Sequence, residues 1–134
     1  MKKKLLALLL CAVLCLCCTA CGRVAFAHRV MGESSRFTPT QLDAAMDAVT
    51  QHFFRYFEGC TLTELVYDEE YSDKFAAEWA QQYNARDAVV LLSSFDVGPT
   101  SDGSLTPNQT YTRWLWILTC DMPGMWTLQT WGYG

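Results

Sequence analysis

Four sets of side chains have the types and spacing for chemistry. The two histidines, His28 and His52, stand alone. No H-E-x-x-H and no paired Cys/His spacing accompanies them, so no metal site and no cofactor is assigned. Asp68, Glu69, Glu70 and Asp73 are the densest acidic group. A calcium loop wants staggered oxygen ligands, often with a glycine for the turn. This run lacks that glycine and leads into a helix, whose first turn favours acidic residues. Asp96 to Asn108 is the longest loop, with Asp96, Asp102, Ser104 and Asn108 near the ends of two strands. Such polar groups hold a ligand, or simply fix a surface crossover through Asx turns. Trp114, Trp116, Trp126 and Trp131, with Tyr111 and Tyr133, crowd the C-terminal segment. On an open face they form a platform for sugar rings or peptides; on a closed one they fill the space between sheet and helix. Arg113 interrupts this apolar strand and lines a pocket or faces solvent. The ligand-binding candidates are therefore Asp96, Asp102, Asn108, Arg113, Trp114 and Trp116. No G-x-S-x-G, phosphate loop or Ser or Cys with a nearby histidine base is present, so no catalytic residue is assigned and an enzyme is the less favoured reading.

The cysteines point elsewhere. Lys2, Lys3 and Lys4 form a positive N-terminal region, and Leu5 to Cys18 follows without a charge. That apolar run is shorter than the roughly 20 residues a membrane-spanning helix needs, and it has the length of a signal peptide core. Cys18-Thr19-Ala20-Cys21-Gly22 then resembles a lipobox, with Ala20 and Thr19 as the small residues before the acylated cysteine and Cys18 in place of the usual Leu. The resemblance implies removal of residues 1–20, a covalent lipid (palmitate among its acyl chains) on Cys21, and a protein on the outer side of the cell membrane. The alternatives are an ordinary secretory signal and an uncleaved anchor. Two chains on one cysteine give stable anchoring at about 0.8 kcal/mol per buried CH₂. Of the seven cysteines, only Cys60 and Cys120 then remain. They are either a disulfide, which this compartment permits, or two buried thiols.

The chain carries −4 overall. Without the three N-terminal lysines, 7 basic side chains face 14 acidic ones. An acidic domain with no basic cluster excludes nucleic acid as a partner and docking driven by charge alone on anionic lipid.

These residues need elements to position them. Gly22 to Arg36 has no periodicity and reads as a tether; a flexible coil of about 15 residues spans roughly 20 Å. Thr38-Pro39-Thr40-Gln41 is a helix start with a capping box and proline at the first helical position. Leu42, Ala45, Met46, Val49, Phe53, Tyr56 and Phe57 then recur at three and four, up to Gly59. Thr61–Tyr67 reads as a strand, about Ser72–Tyr83 as a second helix, and Ala88–Val97 as a strand buried on both faces. Thr110–Cys120 and Met125–Tyr133 form a hairpin around Asp121-Met122-Pro123-Gly124, where Pro then Gly suits a type II turn. Strict alternation puts Tyr111, Arg113, Leu115 and Ile117 on one side of the first hairpin strand, and Trp114, Trp116 and Leu118 on the other. In the last strand it separates Trp126 and Leu128 from Trp131. The expected fold is α+β, a curved antiparallel sheet packed on an N-terminal helix, in the order α-β-α-β-β-β. The expected organisation is a signal peptide over 1–20, a lipidated N-terminus and tether over 21–37, and one domain over 38–134.

That order is similar to the cystatin-like and nuclear-transport-factor-2-like superfamily. Asp102-Gly103-Ser104-Leu105, Pro107-Asn108, Thr110-Tyr111, Trp114, Trp116-Ile117-Leu118, Trp126 and Trp131-Gly132-Tyr133, with Phe57-Glu58-Gly59-Cys60, Leu62 and Tyr67, resemble a domain of unknown function in Gram-positive bacterial lipoproteins. The resemblance covers roughly residues 40–133 and implies no catalytic residue. The expected role is a non-enzymatic module at the cell envelope that binds a ligand or a partner protein. The alternative is a small hydrolase or isomerase with a carboxylate site, such as Asp96 or Glu64 with Arg113, in a cone-shaped pocket.

Overall fold

The computed structural model describes residues 1–17, 21–100 and 103–133. Cys18, Thr19 and Ala20 of the expected cleavage segment, and Asp102 of the loop, lie outside the described residues. The apolar N-terminal run forms helix α1 (Lys2–Cys17), with Leu5, Leu6, Leu8, Leu9 and Leu10 exposed. No described helix is long and apolar enough to cross a membrane.

The rest is α+β. Strand β1 (His28–Val30) is followed by α2 (Pro39–Tyr56), β2 (Cys60–Val66), α3 (Glu69–Gln82), β3 (Asp87–Val97), β4 (Thr110–Cys120) and β5 (Thr127–Tyr133). The five strands lie in sequence order in one mixed sheet. Helix α2 starts as its sequence dictates: the Thr38 hydroxyl accepts from Gln41 N–H, and the Gln41 side chain accepts from Thr38 N–H. Its buried stripe, Leu42, Ala45, Met46, Val49 and Phe53, forms one core with Leu62, Val89, Leu91, Phe95 and Trp116 from the sheet.

Two expectations change at the N-terminal edge. Residues 22–36 are not a free tether, and the sheet is not wholly antiparallel. Gly22 N–H donates to Phe54 O at 3.0 Å, Arg23 N–H to Cys60 O at 2.8 Å, and Leu62 N–H to Arg23 O at 2.8 Å. β1 then pairs parallel with β2, His28 opposite Glu64 and Val30 opposite Val66. Arg29 pins β1 to α2 through Asp43, and through Asp47 at 2.7 Å. Parallel neighbours need a crossover, and α2 supplies it.

Helix α3 begins earlier than expected, because Asp68 caps it by accepting from Tyr71 N–H and Glu69 and Glu70 fill its first turn. It closes β3 beyond the end of β2: the fully buried Ser72 hydroxyl accepts from Val90 N–H at 3.0 Å. Ala76 and Ala80 pack on Ala88, whose small side chains permit close approach.

Three irregularities break the strict alternation of the strands. Between Leu62 and Glu64, β2 carries one extra residue relative to β3. β4 spends two residues, Thr112 and Arg113, opposite the single Ser94. β5 inserts Gln129 between the partners of Ile117 and Leu118. Arg113 takes up its bulge with φ 54°. Bulges of this kind bend a strand and re-aim its side chains. Tyr111 therefore joins Trp114 and Trp116 in the core, against the strict alternation, and Trp131 stacks on Trp116 at 6.1 Å.

Candidate functional site

At the Asp87 end of β3 the sheet opens into a charged cleft. The turn before α2 builds one wall. Ser34 Oγ accepts from the backbone N–H groups of Arg36 and Phe37, while Glu69 accepts from Ser35 N–H and from the Ser35 hydroxyl at 2.6 Å. The Ser35 hydroxyl holds the Glu69 carboxyl below the usual carboxylate range. This clamp aims Arg36 across the cleft, with Nη1 2.5 Å from Asp73 on α3 and Nη2 2.6 Å from Asp87 on β3. Partial burial opposes the Arg36 charge, but the bond to Asp73 and the field of Asp87 outweigh it and raise its pKa. Phe37 and Trp126 pack edge to face at 5.4 Å, and Trp126 Nε1 donates to Gln41 O at 2.8 Å.

Two adjoining cavities, of about 200 and about 400 Å³, share Arg36, Arg86 and Asp87. Arg36 is neutralised by its two carboxylates. The exposed Arg86 side chain makes no ion pair among the described residues. The cleft thus offers one uncommitted guanidinium beside an aromatic wall, which suits a carboxylate attached to an apolar body. Cys120 lines the smaller cavity, but burial pushes its thiol pKa up, so it is a poor nucleophile.

The candidates drawn from the sequence do not assemble into one site. Trp116 is fully buried, its Nε1 donating to the buried Ser93 hydroxyl at 2.8 Å, and Trp114 is only 8% exposed. Both are core side chains rather than a binding platform, because the face of β4 that they share packs against α2, and the bulge adds Tyr111 to it. Asp96 accepts from the Thr110 hydroxyl at 2.6 Å. Asn108, at φ 58°, closes its loop by donating its N–H to Gly98 O. Arg113 lies on the outer surface with its guanidinium 5.2 Å from the Tyr71 ring centre. Asp96 and Arg113 are therefore engaged separately, and Glu64 sits opposite Ser94 on β2.

Cys60 and Cys120 are free and cannot be bridged. Cys60 is in register with Val97 and Cys120 with Asp87, the two ends of β3. Eleven residues of strand place those ends about 30 Å apart. A disulfide needs Cα atoms within about 7 Å. The two cysteines look complementary in sequence only because strand order is invisible there. Cys21 lies near the Val97 end. It lines a cavity of about 280 Å³ with Arg23, Gly59, Asp96 and Gly98.

His52 lies between α2 and β5, with ring centres 4.1 Å from Trp131 and 4.6 Å from Tyr56. Its Nε2 is buried without a hydrogen-bond partner, and burial lowers its pKa. Arg36, Arg86 and Trp126 were not foreseen as a cleft, because three distant segments bring them together. The only local signal was an arginine beside an aromatic residue at 36–37. Compared with protein-family models, curated proteins and solved structures, the chain finds no match.

Proposed function

We propose that this chain is a membrane-anchored, extracytoplasmic binding module, held by a lipid on Cys21 and binding its ligand or partner in the Arg36–Arg86 cleft. The observation that carries this reading is the placement of the two features. Gly22 and Arg23 are bonded to the domain at the Val97 end of β3, and the cleft opens at the Asp87 end. A lipid at Cys21 leaves that cleft about 30 Å from the point of attachment, accessible from outside the cell. The free guanidinium of Arg86 beside Phe37 and Trp126 favours a ligand with an acidic group. The hydrolase or isomerase alternative gains no support, since Asp96 is bonded to Thr110 and Arg113 lies against Tyr71.

Cys21→Ala tests the anchor: the variant should leave the membrane fraction or stay unprocessed. Unchanged membrane retention and unchanged mass would overturn the reading. Binding is followed through Trp126 fluorescence on adding short acidic peptides, and a response that survives Arg86→Ala places the ligand elsewhere.

A further inference from the structure

The domain buries most of its aromatic side chains, yet five remain open: Phe26 in the N-terminal segment, and four around the C-terminal end of α2. Phe54 is 49% exposed, Tyr56 68%, Trp131 41% and Tyr133 72%. Phe54 and Tyr56 project on either side of Arg55, as helical spacing requires. Trp131 reaches Tyr56 through the His52 ring, and Tyr133 packs on Trp114 at 5.1 Å. Trp131 and Tyr133 stand on β5, the edge strand of the sheet.

The first residues of the domain say what covers them. Gly22 is buried, and its N–H is bonded to the carbonyl of Phe54 itself. No slack therefore lies between Cys21 and this patch. A tether of 15 residues would leave the domain free to turn in any direction; a chain docked from residue 22 onward does not. Whatever holds Cys21 holds the end of α2 against the same surface.

Charge agrees. Arg23 and Arg55 are exposed and make no ion pair among the described residues, so at this end two guanidiniums face outward, with Glu58 at the same helix end and Asp96, bonded to Thr110, in the cavity beside Arg23. The arginines suit phosphate headgroups, and Asp43 and Asp47 lie toward the other end of the helix, paired with Arg29. Tyrosine and tryptophan are the side chains that settle at a membrane–water boundary, with an apolar ring and a polar edge.

We infer that the C-terminal end of α2, with Phe54, Tyr56, Trp131 and Tyr133, rests in the headgroup layer of the membrane that holds Cys21. This rests on the lipid-anchor reading above. It makes the module one of fixed orientation, not one that swings on a leash.

The test uses the full processed protein in vesicles of phosphatidylethanolamine and phosphatidylglycerol that carry a lipid with a spin label at the headgroup. The label should quench part of the tryptophan emission. Trp131→Phe should remove most of that quenching, while Trp79→Phe on α3 should leave it. Phe54→Ser with Tyr56→Ser, both surface changes, should weaken it with Trp131 still present. Protein that sediments with the vesicles but is not quenched overturns the docking surface and spares the anchor. Trp131 shielded from an aqueous quencher yet untouched by the lipid label identifies a second copy or another protein as the occupant and likewise overturns it. Protein that does not sediment overturns the anchor, and the docking surface with it.

Discussion

Gly22→Ala is the sharpest test of the docked N-terminus. A Cβ at this position would collide with the backbone carbonyl oxygen of Phe53 and stand 3.0 Å from that of Phe57. Both carbonyls belong to the end of α2, whose Phe53 and Phe57 rings are stacked at 4.7 Å in the core. No rotamer change relieves such a contact. Shifting α2 would disturb the core, so the cheaper response is release of the segment. Release breaks the bonds Gly22–Phe54, Arg23–Cys60 and Leu62–Arg23. At about 0.5–1.5 kcal/mol net for each, the loss is about 3 kcal/mol. That corresponds to about a hundredfold in an opening equilibrium. Amide hydrogen exchange on the purified protein should show Arg23 and Leu62 losing protection by about that factor, with the core of β3 much less affected. Protection within about threefold of the parent, where about 100-fold is expected, would refute the docking.

Two further outcomes follow from buried polar groups. Ser72→Ala leaves the Val90 N–H without its acceptor and should lower urea-unfolding stability by about 1–3 kcal/mol; an unchanged midpoint would mean that this bond does not close β3. For His52, burial lowers the folded pKa below the unfolded value of 6.5, so the unfolded chain binds the proton more readily. Its contribution is complete above that value and is lost as the pH falls through it. His52→Phe should therefore flatten the pH dependence of stability below 6.5, and identical slopes in parent and variant would exclude this role.

Local signals were legible where the chain settles its own conformation. The capping box at Thr38 and Gln41 sets the start of α2, and β4 runs over Thr110–Cys120 as its alternating run suggests. The turn at Pro123 and Gly124 closes with Met125 N–H donating to Met122 O, Gly124 taking φ 79°. What was not legible depends on partners far along the chain. β1 is three residues whose partner, β2, lies beyond a whole helix, so no periodicity marks it. The bulges opposite Ser94 and at Gln129 are set by register, and one extra residue turns a tryptophan from one face to the other. The extra Gln129 brings Trp131 to the face of Leu128 and onto Trp116, where alternation separates them, and whether the face shared by Trp114 and Trp116 is covered depends on α2, a partner that alternation does not reveal. The cleft was hidden for the same reason: Arg36, Asp73 and Asp87 come from three elements and meet only after folding.

The parallel run of the N-terminal segment also governs how the domain withstands force. From Arg23 to Val30 the chain follows the direction of β2, with Cys21 at its lower end. With the proposed lipid on Cys21 and a load at the cleft, near the Asp87 end of β3, tension runs along the strands. The bonds at Arg23, the β1 pairing and the bond from Tyr67 N–H to Val30 O then resist together in shear. Arg29, fastened to Asp43 and Asp47, adds a side-chain hold across the same seam. Had the attachment point stood beyond Val30 instead, the same pull would peel the segment away one bond at a time. Under the proposed anchor, the direction of a three-residue strand therefore decides whether these bonds are loaded together or one at a time.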